Sequence, residues 1–117
     1  MRVFLENIPA SLQGEADVLT RCLEAFSSVM PIEAIYLFGS HARGEAGPDS
    51  DIDLCIVSTG AVHQLTAAVL LRRATREIRP KPAFSLLPID PVRLKEKQSM
   101  GDFFFQTILR EGIILAA

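Results

Sequence analysis

Leu12, Ala16, Leu19, Leu23 and Phe26 recur at alternating steps of four and three residues. That is the period of a helix with one apolar face. Pro9 suits a first helical turn and Pro31 forces its predecessor out of helix, so the spacing predicts a helix over residues 10–29. Gly14 weakens that helix locally without breaking it. Two short apolar runs follow, at residues 34–38 and 52–57. Both are of strand length and bounded by turn residues, which marks buried strands. A second helical stripe, Ala67, Leu70, Leu71, Ala74 and Ile78, predicts a helix over 62–79 that ends at Pro80 and Pro82. Residues 83–89 read as a third strand. Pro91 opens a short helix to about residue 97, with Asp90 as its N-cap. A last helix is expected over 102–110, with Phe104 and Ile108 facing inward and Phe105 a third candidate. Gly112 would cap it, and residues 113–115 would trail beyond. The order α-β-α-β-α-β-α-α predicts a single α/β (α+β) domain over residues 1–117. Its small mixed β-sheet would have three or four strands, with helices packed mainly on one face.

A chain of 117 residues has the size of one domain and can bury a core of its own. With one Tyr and no Trp, that core is aliphatic. A net charge of −2 argues against a dedicated nucleic-acid binder. Arg72, Arg76 and Arg79 line the polar face of the second long helix, an arrangement that is usually just solvated. No apolar run reaches the length of a membrane span. Met1 to Asn7 lacks the basic-then-apolar order of a signal peptide. Cys22 and Cys55 lie on predicted apolar faces without metal-type spacing and read as reduced, buried thiols. A cytoplasmic protein is expected.

The chemistry concentrates between the first two strands. Side chains alternate across a strand, so Asp51 and Asp53 share one face, about 7 Å apart. Like charges so placed repel and raise each other's pKa unless a cation sits between them. Hard carboxylate oxygens at this spacing suit Mg²⁺, which completes its shell with substrate phosphates. Upstream, Gly39 permits a sharp turn and close approach of a ligand. Ser40 then opens a short helical turn whose free N–H groups and hydroxyl can bind a polyphosphate. A phosphate cradle joined to a carboxylate pair describes a nucleoside-triphosphate site. The bland alternative is a surface loop with two solvated aspartates. His41 and His63 are isolated and receive no role.

The run GSHARGEAGPDSDIDL, residues 39–54, resembles the signature of the minimal nucleotidyltransferases (MNT) of the DNA polymerase β-type nucleotidyltransferase superfamily. That signature is Gly-Ser, ten residues, then Asp-x-Asp. Gly39-Ser40, Ala42-Arg43-Gly44, Ser50-Asp51, Asp53 and Leu54 match it. The resemblance implies the nucleotidyltransferase fold over about residues 15–113. It implies Asp51 and Asp53 as catalytic residues and ligands of Mg²⁺, as two ions. Gly39, Ser40, Arg43 and Ser50 become the nucleotide-binding residues, with Arg43 bracing the carboxylates or the loop rather than touching substrate. The substrate would be an NTP, expected to be ATP, whose NMP passes to a hydroxyl with loss of pyrophosphate. In the family, a third carboxylate on the third strand resembles a general base. Here Ser85 takes that place, and an alcohol is neither a useful base nor a strong Mg²⁺ ligand. Asp90, five residues on, faces away from Ser85 on a regular strand; a bulge at Pro88 is the alternative that would bring it round to serve as the third carboxylate.

Small members of the family resemble the MntA-like antitoxin half of HEPN–MNT toxin–antitoxin pairs. That implies a helical HEPN-type protein partner, because a chain this short has no room for a second, acceptor-binding domain. No membrane and no dedicated nucleic-acid partner is expected, and a homo-oligomer is left open. The alternative is a catalytically weakened nucleotidyltransferase-like module that acts by complex formation. Ser85 and the triple phenylalanine at 103–105 favour the module; the Asp51/Asp53 pair favours the enzyme.

Overall fold

The apolar stripe that begins at Leu12 folds as two pieces rather than one helix. In the computed structural model, which describes residues 1–117, Ala10–Glu15 is a 3-10 segment and helix α1 spans Ala16–Val29. Gly14, a poor residue for an α-helix interior, lies in the tighter 3-10 part. Leu12, Leu19, Leu23 and Phe26 are nonetheless all buried. Strands β1, Ala34–Phe38, and β2, Ile52–Val57, fall where the apolar runs predict. Between them lies a single helical turn, α2, Ser40–Arg43.

Helix α3 spans Gln64–Ala74, well short of the predicted 62–79. It stops at Thr75, which is buried and turns its hydroxyl onto the Arg72 carbonyl at 3.3 Å. Of the predicted stripe, Ala67 and Leu71 are buried while Leu70 is 39% exposed. Strand β3, Phe84–Ile89, pairs parallel with β2, the arrangement that a helical crossover such as α3 allows. Asp90 caps α4, Pro91–Ser99, as predicted: its carboxylate accepts from the Val92 and Arg93 N–H groups at 3.0 and 3.3 Å.

Helix α5, Phe103–Glu111, corrects the predicted inward face. Phe105 and Ile108 are buried, whereas Phe104 is 51% exposed and Phe103 75%. Consecutive helical residues point about 100° apart, so only one of three adjacent phenylalanines can sit at the centre of the buried stripe. The segment beyond Gly112 does not trail. It forms β4, Ile113–Ala116, antiparallel to β1 with a register shift between Ile35 and Tyr36. The sheet order is therefore β3-β2-β1-β4. The N-terminal segment covers the β4 edge: Ala117 N–H donates to the Arg2 carbonyl at 3.0 Å, and the Asn7 amide donates to the Ile114 carbonyl at 2.8 Å. An edge so covered offers no open ladder.

Alternation along the strands splits the core in two. Ile35, Leu37, Ile52, Leu54 and Ile56 point to one face and join Leu19, Leu23, Phe26 and Leu71 in the larger cluster. Ala34, Cys55, Val57 and Ile89 point to the other, against Leu94 of α4 and Phe105 and Ile108 of α5. The sheet is mixed, as expected, and most of the core lies on one face. The second face carries two short helices. Both cysteines are buried and unpaired. Burial raises both thiols, Cys55 to about 12. No helix is long and apolar enough to cross a membrane.

Candidate active site

Strand β1 delivers the chain to Gly39 on the second face of the sheet. Gly39 sits at φ +76°, ψ −155°, a conformation that is essentially glycine's alone. A Cβ at this position would collide with Oδ2 of Asp53. The turn and the carboxylate are thus in direct apposition. After Gly39, α2 makes one turn and ends at Gly44, φ +72°. The Ala42 and Arg43 N–H groups already donate to the Gly39 carbonyl at 3.1 and 3.2 Å. Anion-binding capacity here rests on the first N–H groups of the turn and the Ser40 hydroxyl.

The register fixes the neighbours of Asp53. Phe38 of β1 lies on one side of it and Ser85 of β3 on the other. Ser85 therefore occupies the position next to the aspartate pair that its place in the third strand predicts. Asp90 lies five residues further along, about 16 Å away on an extended strand, and its carboxylate is engaged in capping α4. Asp51 is exposed, just ahead of β2, and Asp53 is half-buried. Desolvation raises the Asp53 carboxyl above its ordinary range and the Asp51 charge adds to this. His41, Arg43 and a hydrogen bond from Ser85 pull the other way.

The remaining predicted residues separate. Arg43 donates from Nε to Glu45 at 3.1 Å, and so braces the loop. Ser50 accepts from the Gly47 N–H at 2.9 Å and stabilises the 47–50 turn. It borders a different hollow, shared with Ser11 and Lys81, and is not brought together with Ser40 and Asp53. His41, given no role from sequence, is buried at 6% exposure. Its Nδ1 meets Ser11 Oγ at 2.9 Å and its Nε2 meets the Ser50 carbonyl at 3.4 Å. It fastens α2 to the 3-10 segment and to the loop before β2. No local pattern marks that role, because both partners are distant or main-chain.

Gly39, Ser40, Arg43 and Asp53 open onto a cavity of about 440 Å³, whose other wall is Phe104, Thr107 and Glu111 of α5. That volume is ordinary for a small-molecule site. No group of three or more His, Cys, Asp and Glu side chains could hold a metal by itself. Two carboxylates that repel each other, beside a hydroxyl, form an all-oxygen donor set. The chemistry of such a donor set would fit Mg²⁺ whose remaining ligands are oxygens of a substrate phosphate.

The raised Asp53 carboxyl has a consequence for stability. The folded state holds this proton more tightly than the unfolded chain does. Its contribution is therefore most favourable below the unfolded pKa and is lost as pH rises through the higher folded value. At neutral pH the ionised group is a net cost. Asp53→Asn should accordingly melt higher than the wild type at pH 7, with the gap closing towards pH 3.5. Paired thermal melts across that range check the sign.

A glycine turn set against Asp53 across the two central strands of a small mixed sheet, with Asp51 just ahead of β2, is the arrangement the Gly-Ser and Asp-x-Asp resemblance implies. The chain belongs to the nucleotidyltransferase domain family, whose model matches residues 19–114. The crystal structure of a proposed nucleotidyltransferase from Sulfolobus solfataricus superposes with a TM-score of 0.52 at 24% identity, covering 68% of this chain and 70% of that one. At that identity the likeness bears on the fold. No curated protein matches the chain.

Proposed function

We propose that this nucleotidyltransferase domain binds an NTP, ATP in the first instance, with Mg²⁺, and passes NMP slowly to a hydroxyl of a partner protein. The apposition of Gly39 and Asp53 carries this reading, since it sets a phosphate-accepting turn against a cation-demanding carboxylate. The Ser40 hydroxyl and the first N–H groups of α2 would hold the terminal phosphates. Asp51 and Asp53 would hold Mg²⁺, which supplies charge neutralisation on the triphosphate and on departing pyrophosphate. In the transfer, the acceptor oxygen bonds to the α-phosphorus, the bond to pyrophosphate breaks, and the acceptor proton passes to solvent water. Ser85, beside Asp53, has no capacity to take that proton at neutral pH.

The same observation supports a second reading, in which the domain is a nucleotide-binding module that works by complex formation. For either reading the partner proposed is the helical HEPN-type protein of a toxin–antitoxin pair. Phe103, 75% exposed at the start of α5 and next to a cavity-lining residue, supports a partner contact there.

A ligand selective for the folded state must raise its melting temperature. Saturating ATP with Mg²⁺, at a hundred times Kd, should stabilise the domain by about 2.7 kcal/mol, on the order of 10 °C. Asp51→Asn combined with Asp53→Asn should abolish this shift without lowering the melting point of the free protein. A shift that survives the double substitution would refute the role of the pair.

A further inference from the structure

Phe104 is an aromatic ring held in place but left uncovered. It packs edge-on against Phe38, with centroids 5.9 Å apart and planes at 90°, and against Phe105 at 5.4 Å and 80°. These contacts fix the ring's orientation while half of its surface stays open. It borders the same cavity as Ser40 and Asp53. Thr107 and Glu111 follow Phe104 at three and seven residues, the spacing of one helix face, and border that cavity too.

Their polar groups have one character. The Thr107 hydroxyl donates its hydrogen to the Phe103 carbonyl at 2.8 Å, so towards the cavity it can only accept. Glu111, as a carboxylate, is also acceptor-only. One side of the cavity is thus built by the glycine turn and carboxylate, and the other by an aromatic ring with acceptors beside it.

We propose that this face of α5 is the base subsite: Phe104 stacks the base of the nucleoside triphosphate, while Thr107 and Glu111 accept from an exocyclic amino group. The inference rests on the NTP reading above and adds a selection to it, for amino-bearing bases over uracil. A preoriented aromatic ring suits this task, because every base has a π-face and ordering the platform requires little further loss of freedom.

Calorimetric titration with ATP, UTP and inorganic tripolyphosphate, each with Mg²⁺, tests it. The wild type should bind ATP roughly tenfold more tightly than tripolyphosphate, and more tightly than UTP. Phe104→Ala and the better-packed Phe104→Leu should both weaken ATP about tenfold while leaving tripolyphosphate unchanged. Glu111→Gln should narrow the gap between ATP and UTP. Because the chain contains no Trp, Phe104→Trp supplies a single reporter, whose emission ATP should quench and tripolyphosphate should not. Equal ATP affinity in Phe104→Leu and wild type would overturn the subsite, as would tripolyphosphate binding as tightly as ATP. A wild type that binds neither ligand would overturn the NTP reading itself, and the subsite with it.

Discussion

Gly39→Ala should abolish the response to ATP and Mg²⁺ and also destabilise the free domain. Two effects combine at this position. The backbone conformation, φ +76° and ψ −155°, costs a residue with a Cβ about 1–3 kcal/mol. The new methyl would also occupy the place of Asp53 Oδ2. Asp53 cannot retreat with its strand, because β2 is paired to Phe38 on one side and Ser85 on the other. Either the turn or the carboxylate must move, and their apposition is lost. Gly44→Ala is the control: Gly44 is at φ +72°, but nothing lies within 4 Å of its would-be Cβ. It should lower the melting point through backbone strain alone and keep the nucleotide shift. Thermal melts of both variants with and without ATP and Mg²⁺ separate the cases. A Gly39→Ala protein that still shifts like the wild type would remove the geometric basis of the site.

The second large effect is a gain. Ser85 lies beside Asp53 in the parallel register, so Ser85→Asp places a carboxylate next to the existing pair. A positioned general base is typically worth about 10²–10⁴-fold in rate. Transfer of label from α-labelled ATP to a co-purified partner should rise within that range, at similar nucleotide affinity. The three adjacent carboxylates should also lower the stability of the metal-free protein. Asp90→Asn should leave transfer untouched, since Asp90 caps α4 far along β3. Its expected effect is confined to stability, where the weaker cap costs at most about 1 kcal/mol. A dead Asp90→Asn with an unimproved Ser85→Asp would reverse the assignment of the third strand.

These expectations were open to sequence reasoning to different degrees, and the reason is locality. Strands β1 and β2 and the turn at Gly39 follow from apolar runs and glycine placement that a short window contains. The place of Ser85 is legible only through the family resemblance: parity along a strand fixes the face a residue takes, while the register that sets Ser85 beside Asp53 comes from pairing with a distant strand. Strand β4 is not legible: four apolar residues after a helix cap read as a tail, and only pairing with β1, 76 to 81 residues earlier in sequence, makes them a strand. The inward face of α5 is not legible at Phe104, because three adjacent phenylalanines give no periodicity of their own. His41 and Ser50 show the same limit at the site. Their structural roles depend on Ser11 and on the main chain of the 47–50 turn, partners no spacing rule connects.

The central claim is that the Gly39 turn and the Asp51/Asp53 pair together form a site for a triphosphate with its cation. Calorimetric titration of the wild-type domain with ATP, in Mg²⁺ and again in EDTA, tests it most directly. Saturable one-site binding in Mg²⁺ is predicted, weakened at least about tenfold in EDTA, where the triphosphate meets two uncompensated carboxylates. Affinity that is equal in the two buffers, or no binding in either, would contradict it.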